Sequence, residues 1–177
     1  MKKDNFIFTA LHIMAWLIFV ALSIEAGGLL VNFAYSIFKP EVIGHLYQQM
    51  DLTGLYAQSQ AAFYVVYGLI LFIAIFKAVM FYWVILLLMK MDLSQPFNEF
   101  VAKKIMQISN MAFEIGIVSY IGRQVGKHLD FPGIDRAQLN GFWGDHHGFI
   151  LMAAVLYVIA VIFKRGVALQ QENEFTI

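Results

Sequence analysis

The chain has 177 residues, of which 60% are hydrophobic, with twelve basic residues, twelve acidic residues and no cysteine. Soluble domains are usually about 45–50% apolar, so this excess, which falls in long runs, predicts a membrane protein. The zero net charge argues against direct nucleic-acid binding, which needs a basic face, and the lack of cysteine excludes disulfides and thiolate metal sites.

The first apolar run, residues 8–36, is predicted to be a retained membrane span. It is far longer than the apolar core of a signal peptide, and it exceeds the roughly 20 residues that a bilayer requires. The helix should therefore tilt, bend or project from the lipid. Glu25 lies in this span just before the Gly27-Gly28 pair, where a bend or a close helix contact is expected. Residues 39–60 follow as a first outer loop.

The second and third spans, residues 61–89 and 100–122, form a predicted helical hairpin around a short polar turn. Lys77 lies 18 residues before Gln95 in this turn, and Glu114 lies 19 residues after it. With a rise of about 1.5 Å per residue, two antiparallel helices would hold these charges at nearly the same depth. Because a lone charge at the centre of a bilayer costs at least about 2.5–3.5 kcal/mol, we predict an ion pair between Lys77 and Glu114.

This pair has two interpretations. In the functional interpretation, the pair responds to protons or ions. In the structural interpretation, which is favoured, it only fixes how the helices are aligned. Glu25 is an alternative, less favoured partner for Lys77.

The third span is the least hydrophobic, which predicts that protein surrounds most of it. Asn98, just before it, is a predicted N-cap. Gln107, Asn110 and Glu114 are spaced so that they share one helix face, which we expect to point inward toward Lys77. The predicted polar lining of the bundle consists of Glu25, Gln107, Ser109 and Asn110.

Residues 123–147 form a second outer loop that is rich in glycine and carries imidazole and carboxylate groups. Such groups can bind Zn²⁺ or a similar ion, and histidine can also titrate near neutral pH. The candidate metal ligands are His128, Asp130, Asp145, His146 and His147. Their spacing matches no metal motif, so a polar surface loop without a metal is the favoured alternative.

The last span, residues 148–164, continues into a polar tail, residues 165–177. Basic residues are more frequent on the side of the two termini, which is typical of the cytoplasmic side of a membrane protein. On that side are Lys2, Lys3, Lys90, Lys103, Lys104, Lys164 and Arg165, and on the other are Lys39, Arg123, Lys127 and Arg136. The sequence therefore predicts a single all-α, polytopic membrane domain: four transmembrane helices in an up-down bundle, with both termini cytoplasmic.

The tail resembles the closing signature of a known family. It reads Phe163-Lys164-Arg165-Gly166-Val167-Ala168-Leu169-Gln170-Gln171-Glu172-Asn173-Glu174-Phe175-Thr176-Ile177. The family pattern is F-x-x-G-x-x-L-Q-x-E-x-x-L-T-[IV], and Phe175 stands where the family usually has leucine. The chain is thus similar to the domain of unknown function family 2975, whose members are small four-span proteins of the bacterial inner membrane.

The resemblance implies a cellular context but no chemistry, since the family has no assigned biochemical role. Genes of the family often lie beside a small Cro/repressor-like regulator with a helix-turn-helix, which implies such a regulator as a cytoplasmic partner. The amphipathic tail would then be a docking segment, and a helix lying on the bilayer is the alternative. The predicted docking residues are Leu169, Glu172, Phe175 and Ile177.

The chain has no Ser/His/Asp set, no phosphate-binding glycine loop and no His-Glu-x-x-His helix, so we predict no enzymatic activity and no cofactor. The favoured function is a sensor or regulatory subunit that couples conditions in the envelope or in the membrane to a cytoplasmic partner. One alternative is a small ion or solute transporter or channel subunit that uses Lys77 and Glu114. Another is a structural partner of a larger membrane complex, and a homodimer is compatible with each of these.

Overall fold

A computed structural model gives the fold of the protein and describes residues 2–45, 51–91, 97–128 and 136–174. All the regular structure of these residues is helical, so the predicted all-α class is confirmed. The elements are, in chain order, α1 (Lys2–Phe38), a 3-10 helix (Pro40–His45), α2 (Thr53–Gln58), α3 (Gln60–Lys90), α4 (Glu99–His128), α5 (Arg136–Trp143) and α6 (His146–Glu174).

Three of the described helices are long and apolar enough to cross a membrane. They correspond to the segments Phe6–Phe38, Gln60–Lys90 and Leu139–Glu172, whereas α4, which carries the third predicted span, is not among them. Large apolar side chains on these helices point outward: Leu17 is 67% exposed and Leu151 is 69% exposed. Apolar surface of this extent needs lipid or another protein around it rather than water.

The four long helices pack in a row in which each is antiparallel to the next. Extensive contacts join α1 to α3, α3 to α4, and α4 to α6. The hydroxyl of Tyr67 on α3 donates a hydrogen bond to the carbonyl oxygen of Leu29 on α1 at 3.0 Å. We call the end of the row at Lys90 and Phe97 the turn end, and the opposite end, at Gln60, the loop end.

A stripe of small residues on α4 faces α6 and, near its end, α5. These recur every three or four positions along α4 and are all buried: Ser109, Ala112, Gly116, Ser119, Gly122 and Gly126. A Cβ atom at Gly116 would lie 2.7 Å from Cγ1 of Ile150 and 3.2 Å from its backbone nitrogen, so the two helices nearly touch. Small residues allow such an approach between helices in a membrane.

Two local expectations have clear outcomes. The predicted N-cap is confirmed, because Oδ1 of Asn98 accepts a hydrogen bond from the backbone N–H of Val101 at 2.8 Å. Near the Gly27-Gly28 pair, where a bend or a close helix contact was expected, the space beside Gly27 is open, but α1 contacts α3 at Leu29, one residue after the pair.

Candidate functional site

The structure does not bring Lys77 and Glu114 together. Lys77 is partly buried on α3, whereas Glu114 is exposed on α4, and no ion pair joins them although both lie in the described part of the chain. The physical reason is the rotation of α4. Gly116 packs against Ile150 of α6, and Glu114 lies two residues before it, about 200° around the helix. Glu114 therefore faces outward, away from the rest of the chain.

The predicted polar lining does not form one continuous path. Ser109 donates a hydrogen bond from its hydroxyl to the carbonyl oxygen of Ala153 at 2.8 Å, which ties α4 to α6. Ser109 and the exposed Asn110 both border a groove of about 480 Å³ between these two helices. Gln107 is half-buried, with Oε1 unpaired among the described residues. Glu25 is half-buried on α1, a helix that is not in extensive contact with α4.

Lys77 instead borders an apolar cavity of about 660 Å³, to which all four long helices contribute. We call it the Lys77 cavity. Its other bordering residues are Ile18 and Leu22 from α1, Met80, Phe81, Val84 and Leu87 from α3, Ile105 and Ile108 from α4, and Phe149, Met152 and Leu156 from α6. Lys77 is the one charged residue among those that the structure places around this cavity. The cavity was not predicted from the sequence, where a carboxylate partner was expected for Lys77.

The ammonium group of Lys77 lies near the junction of α5 and α6. It is 6.0 Å from the centre of the Phe149 ring, and a Cβ atom at Gly144 would lie 3.7 Å from Nζ. Gly144 has a φ of 63°, in the left-handed region that favours glycine, and α6 begins two residues later. The residues that border the cavity supply no anion for this ammonium group.

His146 and His147 are the first two residues of α6. His146 is 6% exposed, and the centre of its ring lies 4.0 Å from that of His147. Oδ1 of Asp145 accepts a hydrogen bond from the backbone N–H of His147 at 3.1 Å, so this carboxylate caps the helix. Helix initiation thus accounts for Asp145, whereas Nδ1 of His146 is buried without a hydrogen-bond partner among the described residues.

The described members of the predicted metal site do not assemble. His128 is exposed at the end of α4, with Nδ1 2.8 Å from the carbonyl oxygen of Gln124 in its own helix. Within the described ranges, no three histidine, aspartate or glutamate side chains are grouped so that they could hold a metal ion. Asp130, which was also a candidate, lies outside the described residues.

At the turn end, the tail signature has a structural role. The ring of Phe97 packs against α6, with its centre 5.2 Å from that of Phe163. A Cβ atom at Gly166 would lie 2.6 Å from Cδ1 of Phe97, so a larger residue at this position would displace the ring. We call the surface formed by Phe163 and Gly166 the Phe97 seat.

The predicted docking residues begin on a helical extension beyond this seat. α6 continues to Glu174, and both Leu169 and Glu172 are exposed on it. Phe175 and Ile177 lie outside the described residues.

Comparison of the chain with known protein families gives one match. A family model described as "Protein of unknown function (DUF2975)" matches residues 45–177, which include α2 to α6. The family expected from the tail signature is thereby confirmed. No curated protein and no solved structure matches the chain.

Proposed function

Because the chain belongs to the family of proteins of unknown function DUF2975, whose description names no activity, we propose its function from the geometry of α6 and the turn end. We propose a regulatory subunit of the bacterial inner membrane, with four spans and both termini in the cytoplasm. It couples the arrangement of its membrane helices to a cytoplasmic partner, for which a helix-turn-helix regulator is the candidate.

The continuity of α6 carries this proposal. The helix runs without a break from His146 to Glu174, so the segment that crosses the bilayer and the segment that bears Leu169 are one rigid rod. The Phe97 seat joins this rod to the connection between α3 and α4. A movement of α4 against α6 would therefore shift Phe97 on its seat and change the surface offered beside it.

Two features support a fourth span and a cytoplasmic turn end. α4 has 30 residues, about 45 Å at the usual helical rise, and lies between two helices that are apolar enough to cross a membrane. Its buried small face is protected from lipid by α6. The turn end also collects cations, which are favoured on the cytoplasmic side: Lys90, Lys103, Lys104, Lys164 and Arg165.

Cross-linking in native membranes, followed by purification of the full chain, tests the proposal. We expect the unaltered protein to recover a cytoplasmic partner and Gly166→Leu to lose it, since leucine would displace Phe97 from its seat. Gly27→Leu is the matched control, because the space beside Gly27 is open. Deletion of residues 167–177 should also abolish recovery. Failure of the unaltered protein to recover any partner, or equal recovery by all variants, would contradict the proposal.

A further inference from the structure

We propose that the Lys77 cavity is a binding site for an acyl chain that ends in an anionic group. The anion would contact the ammonium group of Lys77, and the chain would lie along the apolar part of the cavity toward the turn end. This inference is independent of the regulatory role proposed above, because it concerns occupancy of the cavity and not any partner.

The first step is the charge of Lys77. Its ammonium group forms no ion pair with a carboxylate of the described residues, and its aromatic neighbour, Phe149, is 6.0 Å away, at the outer limit for a cation–π contact. Gly144, without a side chain, leaves space beside Nζ. A cation in apolar surroundings is costly, and an anionic ligand would offset that cost.

The second step is the shape of the cavity. Lys77, Met80, Val84 and Leu87 follow one another at spacings of three or four residues, so they form a line on one face of α3. From Lys77 to Leu87 this line is about 15 Å long at the helical rise. Leu156 on α6 borders the same space. A long apolar line with a single cation at one end matches a linear hydrocarbon chain with one charged terminus.

The volume of the cavity and its position between the outermost helices also suit such a ligand. The volume of about 660 Å³ lies within the range of about 300–1,000 Å³ that is usual for pockets that bind small molecules. α1 and α6, the two outermost helices of the row, both border the cavity but are not in extensive contact with each other. A ligand could therefore enter sideways from the lipid. A free fatty acid and an anionic phospholipid share the required chemistry.

Photolabelling of the purified full chain in a neutral detergent tests the site. The probe is a palmitate analogue with a photoreactive group in its chain, and the matching fatty alcohol lacks the charge. We expect saturable labelling of peptides that contain Val84, Leu87 or Leu156. The fatty alcohol probe should label the unaltered protein at least about tenfold less than the palmitate probe does, the expected loss for a charge-assisted contact. The palmitate probe should label the Lys77→Met variant less by the same factor. Lys77→Arg should retain it.

Further variants separate this site from general adsorption. Leu156→Trp, which fills the cavity, should reduce labelling as Lys77→Met does, whereas Lys90→Met, a control at an exposed lysine outside the cavity, should not. Each variant is checked for unchanged elution and helicity. The fatty alcohol comparison uses the unaltered protein, so it remains decisive if a variant fails to fold.

Competition with unlabelled lipids identifies the source of the ligand. Stronger competition by palmitate would indicate a free fatty acid, and stronger competition by phosphatidylglycerol would indicate a bilayer lipid; either supports the proposal. The proposal would be overturned if neither lipid reduced labelling, if the fatty alcohol probe labelled as strongly as the palmitate probe, or if Lys77→Met left labelling unchanged.

Discussion

Single glycines on α4 determine how closely the last helices pack at the loop end. A Cβ atom at Gly122 would overlap the ring of Trp143, which is 1% exposed and so has no room to move away. Gly126 meets the same ring, with a built Cβ 3.3 Å from Nε1. The indole of Trp143 therefore occupies the space that two missing side chains leave on α4.

This packing predicts a large difference between two glycine substitutions. Gly122→Ala should lower the free energy of unfolding by about 1–3 kcal/mol, the usual cost of overpacking a filled interior. Gly27→Ala, also in a helix but beside open space, should be neutral or stabilising by up to about 1 kcal/mol, because alanine favours helix more than glycine does. Thermal unfolding in detergent, followed by circular dichroism, measures both. Equal melting temperatures would show that Trp143 does not rest on Gly122.

The cap at Asn98 predicts a smaller effect. Asn98→Ala should lower the free energy of unfolding by about 1 kcal/mol, because the backbone N–H of Val101 loses its acceptor. Asn98→Ser should lower it much less, because the serine hydroxyl can also accept this hydrogen bond. Asn110→Ala, at an exposed position within the same helix, is the control. Denaturant unfolding in detergent can resolve the difference. A cost for Asn98→Ser as large as that for alanine would argue against capping.

At the scale of single residues, the sequence was sufficient wherever the signal was local. Asn98 could be assigned as a cap because capping involves only the next three residues. Lys77 could be recognised as a buried cation because it interrupts an apolar run. Its surroundings could not be predicted, because they depend on Phe149 and Gly144, which reach it through the packing of another helix.

At the scale of elements, the depth of a residue in the bilayer is easier to predict than the direction in which it points. Counting from the turn placed Lys77 and Glu114 on antiparallel helices, and α3 and α4 do form such a pair. Rotation about the helix axis is set instead by the face that is buried. The stripe from Ser109 to Gly126 was present in the sequence and is the signal from which the outward position of Glu114 could have been inferred.

The orientation of α4 predicts that Lys77 and Glu114 are energetically independent. In a double-mutant cycle with Lys77→Met and Glu114→Gln, the effects on unfolding should add within about 0.5 kcal/mol, because the side chains do not touch. Equilibrium unfolding of the two single variants and the double variant in detergent gives the coupling energy. A coupling well above that value would mean that the two charges meet, contrary to the structure.

At the scale of the whole molecule, composition was enough to predict an all-helical chain with long apolar helices, and three such helices are present in the described residues. The order in which they pack was not accessible from composition. That order depends on tertiary contacts such as the hydrogen bonds of Tyr67 to Leu29 and of Ser109 to Ala153. The prediction of an up-down bundle did not specify this order, and among the described residues the extensive helix contacts run from α1 to α3, α4 and α6 in turn.

The number of helices that cross the membrane determines on which side of the membrane each engineered single cysteine lies. The chain has no cysteine of its own, so Thr53→Cys and Gln171→Cys, both at exposed positions, can be probed one at a time with a membrane-impermeant maleimide. If α4 crosses the bilayer, the two sites should react from opposite sides in intact cells and inverted vesicles. Reaction from the same side would mean that only three helices cross.

The open row has a consequence for any movement of ions through this protein. A water-filled conduit across a bilayer must be walled by protein all the way round, because exposed hydrocarbon would otherwise seal it. Within the described residues, α1, α3, α4 and α6 form a row with α1 and α6 at its two ends. A water-filled pore would therefore need further chains to complete its wall. In a single copy, lipid would occupy the open side between α1 and α6.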